Sequence, residues 1–166
     1  WKDLYPDGKI QADGQYNDNR RSGAWKFYNI AGKVEQTGSF NAGREDGLWK
    51  WYYPDGNLLR EEEYFQGRRD GTYSEYSATG EVITQGQYSD GEKNGEWTYK
   101  SGDYIEEGKY IIGLKDGVWK GYYLNGNQKF KGSFVQGNPD GEHKLYYEDG
   151  RLKEEQHYQA GIRQKT

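Results

Sequence analysis

Adjacent carboxylates are the residues of this chain that most resemble catalytic groups. Acidic side chains follow one another at Glu61-Glu62-Glu63 and at Glu106-Glu107, and glycoside hydrolases use a pair of carboxylates on either side of the bond they cleave. Neighbouring residues of a β-strand point to opposite faces, however, and a thin sheet offers no pocket that would raise the pKa of either carboxyl group. We interpret these residues as solvated charge.

Metal binding and nucleophilic catalysis have equally little basis in the sequence. In the strand register derived below, His143 pairs with Gln156 and His157 pairs with Glu142, so the two imidazoles lie on opposite faces and do not share a metal ion. No serine stands in the strained turn that presents a nucleophile. An aspartate before glycine recurs along the chain, but Asp-Gly is a favoured turn dipeptide and the calcium-binding nonapeptide pattern is absent. These aspartates are Asp46, Asp70, Asp116 and Asp140. The sequence therefore predicts no enzyme, cofactor or metal site.

Aromatic residues are the other candidates for binding chemistry. The stretch GLWKWYYPDG, residues 47–56, has four aromatic side chains in ten residues. Rows of Trp and Tyr interspersed with Gly suit stacking on sugar rings, so a carbohydrate or cell-wall binding module is one interpretation. The same stretch also suits one strand of a hairpin that ends in a Pro-Asp-Gly turn. The secondary-structure elements that contain this stretch help to decide between the two interpretations.

Those elements repeat. Gly23, Gly47, Gly71 and Gly95 are 24 residues apart, and Gly117 follows after 22. Each repeat has two short runs of aromatic or β-branched residues bounded by turn dipeptides, a pattern that predicts a β-hairpin. The predicted fold is all-β: a single, elongated antiparallel β-meander of seven hairpin repeats that twists or curls. The repeats are 1–22, 23–46, 47–70, 71–94, 95–116, 117–140 and 141–166.

The short fifth repeat fixes the register. Its tip shrinks to Ser101-Gly102-Asp103-Tyr104, which fits a two-residue hairpin loop, so the longer repeats are predicted to have four-residue loops. The register then sets Trp25 opposite Gly38, and we expect each indole to lie over the glycine that it faces.

This register predicts two candidate sites on opposite faces of the sheet. On the aromatic face, Arg60 lies opposite Trp51 and Glu62 opposite Trp49, which is either a ligand site or a stabilising cation–π contact. The other face is mostly Lys and Glu, but apolar side chains gather on it in the middle repeats, as either a partner-docking patch or cross-strand stabilisation. That set is Tyr52, Leu59, Tyr76, Ile83 and Ile105, with Tyr52 opposite Leu59.

Composition limits the partners. The chain is 32% hydrophobic and 30% charged, with mean hydropathy −1.29, but its 17% aromatic content and regular spacing favour a folded protein over disorder. A net charge of −4 and a pI near 5.3 disfavour nucleic acid and anionic lipid. No apolar run approaches the ~20 residues of a membrane span. The chain has no Cys and no Met and begins at Trp1. We therefore expect that an initiator or signal segment was removed or lies outside this sequence, which leaves cytoplasm and export both open.

The repeat resembles the MORN repeat, and more closely its bacterial variant. GLWKWYYPDGNLLREEEYFQGRRDG at 47–71 fits that pattern almost throughout, and the repeats cover essentially the whole chain. Tyr73 and His143 replace the leading Trp, and Glu62 and Gln156 replace the glycine of mid-repeat. The resemblance implies a non-catalytic scaffold for protein–protein contact, including YwqK-like proteins described as toxin–antitoxin components. The partner is another protein or a second copy of the chain.

Overall fold

The computed structural model describes residues 1–165, which consist of β-strands joined by turns. The strands are β1 (Lys2–Leu4), β2 (Ile10–Asn17), β3 (Arg20–Tyr28), β4 (Val34–Asn41), β5 (Arg44–Tyr52), β6 (Leu58–Phe65), β7 (Arg68–Tyr76), β8 (Val82–Ser89), β9 (Glu92–Ser101), β10 (Tyr104–Ile111), β11 (Leu114–Tyr123), β12 (Gln128–Val135), β13 (Asn138–Tyr146), β14 (Leu152–Gln159) and β15 (Ile162–Arg163). The chain divides into two compact units, residues 1–82 and 83–166. The first holds β1 to β7, and the second holds β9 to β15 with nearly all of β8.

Within each unit the strands pair in chain order, and every pairing is antiparallel. β1 to β7 pair in succession in the first unit, and β8 to β15 pair in succession in the second. The predicted fold class, an antiparallel β-meander of hairpin repeats, is confirmed. The sequence predicts up to fourteen strands. The additional one is the short β15, because Ile162 and Arg163 continue beyond the last turn and pair with β14.

Two-residue turns join successive hairpins along one edge of each unit. Ala42 and Gly43 both have positive φ, of 49° and 84°, as the type I′ turn requires to match the twist of the flanking strands. The Gly43 amide donates a hydrogen bond to the Arg21 carbonyl, 2.9 Å away in the preceding repeat. At the opposite edge, the Tyr53 hydroxyl donates to the main-chain carbonyl of Tyr76, 2.8 Å away in the next repeat. Both edges therefore connect neighbouring hairpins.

The hairpin tips correct one prediction. The two-residue tip of the fifth repeat is confirmed by the pairing of Ser101 with Tyr104. The longer repeats have three-residue loops instead of four: the Asn29 amide donates to the Lys33 carbonyl at 2.8 Å, and Gly32 closes the turn. A turn of this kind carries a bulge that absorbs one residue.

That bulge shifts the register next to each tip. Tyr52 pairs with Leu58, so the predicted pairing of Tyr52 with Leu59 is wrong. The predicted pairings of Trp49 with Glu62 and of Trp51 with Arg60 are confirmed, since they lie further from the tip.

The core consists of indoles packed on glycines. Trp25 pairs with Gly38 as predicted, but the ring that lies over Gly38 belongs to Trp49 of the next hairpin, and the Trp25 ring lies over Gly14. The reason is a bulge between β4 and β5, where Gly38 alone stands opposite residues 47–49. A Cβ atom at Gly38 or Gly14 would lie only 2.1–2.6 Å from atoms of the facing ring, which is far closer than van der Waals contact. The same packing recurs in Trp97 on Gly86, Trp119 on Gly108 and His143 on Gly132, and within one hairpin in Phe130 on Gly121.

The remaining sides of each indole are also closed. The Trp119 Nε1 atom donates to the Lys109 carbonyl at 3.1 Å, the Lys115 ammonium lies 3.9 Å from the ring centroid, and the Tyr110 ring meets it edge-on at 5.0 Å. Trp25 has the same arrangement with Arg21 and Tyr16. Cation–π and edge-to-face contacts of this kind stabilise by roughly 0.5–1.5 kcal/mol each. A single sheet therefore buries large aromatic side chains without a second layer.

Candidate interaction surfaces

The aromatic face is a packed surface with little exposed ring. The indoles of Trp25, Trp49, Trp97 and Trp119 are almost completely buried. Stacking on a sugar requires an exposed ring face, and here glycine covers one side of the ring while a cation or a second aromatic residue covers the other. These four indoles are therefore not available to stack on a sugar, and carbohydrate binding by the other aromatic residues stays a prediction.

The predicted site on the aromatic face is brought together by the structure. The Arg60 guanidinium lies 4.1 Å from the Trp51 ring centroid. Glu62 is only 1% exposed, and its carboxylate accepts a hydrogen bond from the Tyr64 hydroxyl at 2.6 Å and lies 3.2 Å from Arg69 Nε. The cation–π contact, one of the two predicted interpretations, is present, and the buried carboxylate has both a donor and a counter-ion. A ligand site at this group stays a prediction.

Glu62 also explains a departure from the repeat pattern. It occupies the position where other repeats have the glycine that lies under an indole, and its partner on β7 is Tyr73 in place of Trp. The Tyr73 side chain is nearly buried, and its hydroxyl donates to the Glu75 carboxylate at 3.1 Å. Glu62 is larger than the glycine it replaces and Tyr73 is smaller than the tryptophan it replaces, so the two changes compensate in volume. Glu62 is therefore a packing variant of the same layer.

This cluster predicts alkaline sensitivity. Burial, together with the nearby carboxylates of Glu62 and Glu75, raises the pKa of Tyr64 and of Tyr73 to about 12, from 10.0 for an unperturbed tyrosine. Between pH 10 and 12 the unfolded chain has lost these protons while the folded chain keeps them, so stability is complete below pH 10 and falls as pH rises towards 12. Thermal melting followed by circular dichroism should show this fall, and it should be shallower in Tyr64→Phe/Tyr73→Phe. An identical slope in that variant would contradict the assignment.

The patch predicted on the opposite face is largely covered. Tyr52, Leu59 and Tyr76 lie in the first unit and are half-buried. The Tyr76 hydroxyl donates to Glu61 at 2.8 Å, and the Tyr52 hydroxyl lies 3.4 Å from Thr37 Oγ1. These contacts show a structural role for the two tyrosines, and a binding role for them stays a prediction.

The two isoleucines of that patch, Ile83 and Ile105, lie in the second unit and are also half-buried. Ile105 pairs with Lys100.

A more exposed apolar group lies in the second unit and is missed by the sequence analysis. Ile112 stands in a two-residue turn and is 73% exposed, and Val135 is 54% exposed at the end of β12. Strand alternation places Ile111, Leu114, Val118 and Val135 on the face opposite the indoles. We call Ile111, Ile112, Leu114, Val118 and Val135 the aliphatic patch. Its signal was present in the repeats, because Leu114 occupies the position that holds an arginine in the first unit. Those arginines are Arg20, Arg44 and Arg68.

One acidic cluster has the spacing of metal ligands. Glu142, Glu155 and His157 have ligand atoms within 4.8 Å of one another, the one such group found among residues 1–165. The Lys144 ammonium lies 2.9 Å from Glu142 and 3.8 Å from Glu155, and its hydrogen bond holds the pKa of Glu142 below its ordinary value. The cluster is therefore an exposed ion-pair network. His143 faces the other side of the sheet, as predicted, and packs over Gly132.

The fold and these surfaces define the class: an antiparallel β-hairpin repeat protein with packed indoles on one face. A family model, the MORN repeat variant, matches residues 45–66, 69–90, 115–136 and 139–160, together more than half of the chain. The protein belongs to this MORN repeat family. Repeats of this kind generally form scaffolds that bind proteins or membranes.

Other comparisons add little. A search among curated proteins finds no match. Solved structures do match, among them a chain of the crystal structure of the GtfA/B complex bound to UDP and GlcNAc, at 12% identity and a TM-score of 0.31. That match covers 86% of this chain and 22% of the other. No helix of the described residues is long and apolar enough to cross a membrane.

Proposed function

We propose that this chain is a non-catalytic scaffold that binds a partner protein. The observation that carries the proposal is the aliphatic patch, where five apolar side chains of the second unit are each 42–73% exposed. Contiguous exposed apolar surface usually marks an interaction site, because leaving it in water is unfavourable. The acidic composition argues against nucleic acid as the partner.

The carboxylates support the non-catalytic part of the proposal. Of the five adjacent carboxylates that the sequence presents, all but Glu107 are committed to structural contacts. Glu61 accepts from Tyr76, Glu62 is buried beside Arg69, and Glu63 accepts from the Thr72 amide at 2.6 Å. Glu106 is ion-paired with Lys115. A carboxylate that is already engaged by a counter-ion or a hydrogen-bond donor is not free to contact a substrate, and general acid catalysis requires that contact.

The direct test is affinity purification of the tagged chain from its native source, followed by mass spectrometry and calorimetry with the purified partner. We expect one protein to bind stoichiometrically. Sedimentation of the chain alone determines whether the partner is a second copy. Failure to recover any binding protein, combined with a monomeric chain, would overturn the proposal.

A substitution at Ile112 should affect partner binding and folding stability in opposite directions. It has φ of 47°, a left-handed conformation that a β-branched side chain adopts at a cost of about 1–2 kcal/mol. Asparagine tolerates this conformation, so Ile112→Asn should raise the melting temperature while it weakens partner binding. The matched control is Asp90→Asn, at the equivalent turn with φ of 49°, which should change binding little. If Ile112→Asn left binding unchanged, Ile112 would lie outside the interface.

The bacterial MORN variant suggests a more specific form of this function. YwqK-like proteins are described as toxin–antitoxin components, and we propose the antitoxin role as a case in which the bound partner is a toxin. Co-expression with the captured partner tests it. Growth inhibition by the partner alone, relieved by this chain, is the expected result. A partner that is harmless when expressed alone would exclude that role and leave the scaffold function intact.

A further inference from the structure

Three lysines face one another across adjacent strands of the second unit. Lys120 on β11 pairs with Lys131 on β12, and Lys131 pairs with Lys144 on β13. Side chains directly opposite each other in a sheet have Cβ atoms about 4.5–5.5 Å apart, and like charges at this separation are destabilising. We call Lys120, Lys131 and Lys144 the lysine row.

The fold does not require this row. The corresponding row of the first unit mixes charge and polarity, because Lys26 pairs with Asp13 and Thr37, and Lys50 pairs with Thr37 and Glu61. Lys50 Nζ lies 3.9 Å from the Glu61 carboxylate. The same backbone position therefore accepts a balanced set of side chains, and the three lysines call for another explanation.

Two members of the row lack a counter-ion. Lys144 is paired with Glu142 and Glu155. Lys120 and Lys131 come within 4 Å of no carboxylate of residues 1–165, although Glu107 is the neighbour of Lys120 on β10. Their positive charge is available to a ligand.

Tyrosine hydroxyls flank the row on the tip side. Strand alternation places Tyr122 and Tyr146 on the face of the lysine row, two residues beyond Lys120 and Lys144. Their counterparts in the first unit bond to the row itself: Tyr28 to Asp13 at 2.9 Å and Tyr76 to Glu61 at 2.8 Å. The structure gives the hydroxyls of Tyr122 and Tyr146 no such partner in the described part of the chain. Both are donors for an anionic group.

Apolar side chains flank the row on the turn side. Val118 lies two residues before Lys120 on β11, and Leu114 and Val135 lie beyond it towards the turns, all on the same face and more than two-fifths exposed. The same alternation places Asp116 between Leu114 and Val118, where it pairs with Lys109 on β10. Positive charge and hydroxyl donors therefore lie together along β11 to β13, and the aliphatic side chains lie on the turn side of them, around Asp116.

We propose that this face of the second unit binds an acidic protein segment that also carries apolar side chains. The inference rests on the proposed scaffold function and specifies its partner. Carboxylates of the segment bind Lys120 and Lys131 and accept from Tyr122 and Tyr146, and its apolar residues cover Val118, Leu114 and Val135. A nucleic acid would match the charge but would leave the aliphatic patch in water, and the net charge of −4 would repel it.

The test uses the full chain and a fluorescein-labelled peptide with leucine and valine at one end and glutamates at the other. Fluorescence anisotropy at low salt should give saturable binding. In Lys120→Gln/Lys131→Gln the affinity should fall at least about tenfold, since charge-assisted hydrogen bonds are the strong ones. The matched control, Lys26→Gln/Lys50→Gln, removes the same charge from the first unit and should change affinity less than about twofold.

Further arms distinguish the alternatives. A peptide with glutamine in place of glutamate should bind weakly. Duplex DNA and phosphatidylserine vesicles should bind no more tightly than this glutamine peptide. Equal losses in the two lysine variants would overturn the proposal, as would tighter binding of DNA or vesicles than of the acidic peptide. The captured partner protein separates this inference from the scaffold function. If it binds Lys120→Gln/Lys131→Gln normally, the scaffold function stands and the lysine row is not its binding site.

Discussion

Replacing Trp119 with alanine should destabilise the protein by about 3–5 kcal/mol, as for other buried tryptophans. The side chain is completely buried, its ring lies over Gly108, and its Nε1 atom donates to the Lys109 carbonyl. The sheet has no second layer that could collapse into the space, so water would fill the cavity. It would contact the Lys109 carbonyl, which has lost its donor, and the newly exposed edges of neighbouring rings. Denaturant unfolding followed by tryptophan fluorescence and circular dichroism measures the loss.

The matched control is Trp1→Ala. Trp1 is 74% exposed at the start of the chain, so its removal should change stability by less than about 0.5 kcal/mol, as for ordinary surface substitutions. Equal effects of the two substitutions would show that the buried indoles are not the core of the protein.

Gly38→Ala should have the second largest effect. The added methyl group would lie 2.1–2.5 Å from atoms of the Trp49 ring, and the Trp49 side chain is itself fixed by its hydrogen bond to the Ser39 carbonyl at 3.1 Å. Overpacking of this kind costs about 1–3 kcal/mol. For a chain of this length each kcal/mol lowers the melting temperature by about 2–4 °C. Calorimetry should therefore detect the loss readily.

Two comparisons test the steric cause. Gly38→Ala/Trp49→Tyr should recover part of the loss relative to the separate changes, because Glu62 and Tyr73 are a natural pair of this kind. Gly56→Ala adds a methyl group in open space, although the positive φ of Gly56 carries its own strain. If Gly38→Ala cost no more than Gly56→Ala and the double variant recovered nothing, the ring-on-glycine account would be wrong.

The register was predictable because one repeat is short. The fifth repeat is two residues shorter than the others at its tip, around Gly102, and only one loop length fits that tip. The pairing of Trp49 with Glu62 follows from this loop length. The bulges were not predictable, since a glycine at a bulge looks the same in sequence as a glycine in a turn. For this reason the sequence analysis paired Tyr52 with Leu59 and placed each indole over the wrong glycine.

The candidate site was predicted in part. The grouping of Trp51 with Arg60 depends only on register, and it is confirmed. Exposure depends on how neighbouring side chains cover one another. Tyr76 is covered through its bond to Glu61, which periodicity does not reveal. Leu114 is 49% exposed at a position that begins β3, β5 and β7 with an arginine in the first unit. Comparing equivalent positions between repeats, rather than summing hydropathy, would have found the aliphatic patch.

The measurement that most directly tests the scaffold function is site-specific photocrosslinking in the native source. A photoreactive phenylalanine analogue is placed at Val135 in the second unit or at Phe65, the equivalent position of the first, where the side chains are 54% and 57% exposed. We predict a single protein adduct at Val135, identified by mass spectrometry and lost on adding the acidic peptide, with none at Phe65. Adducts of equal yield at both positions, or none at Val135 while the chain still binds its partner, would contradict the account.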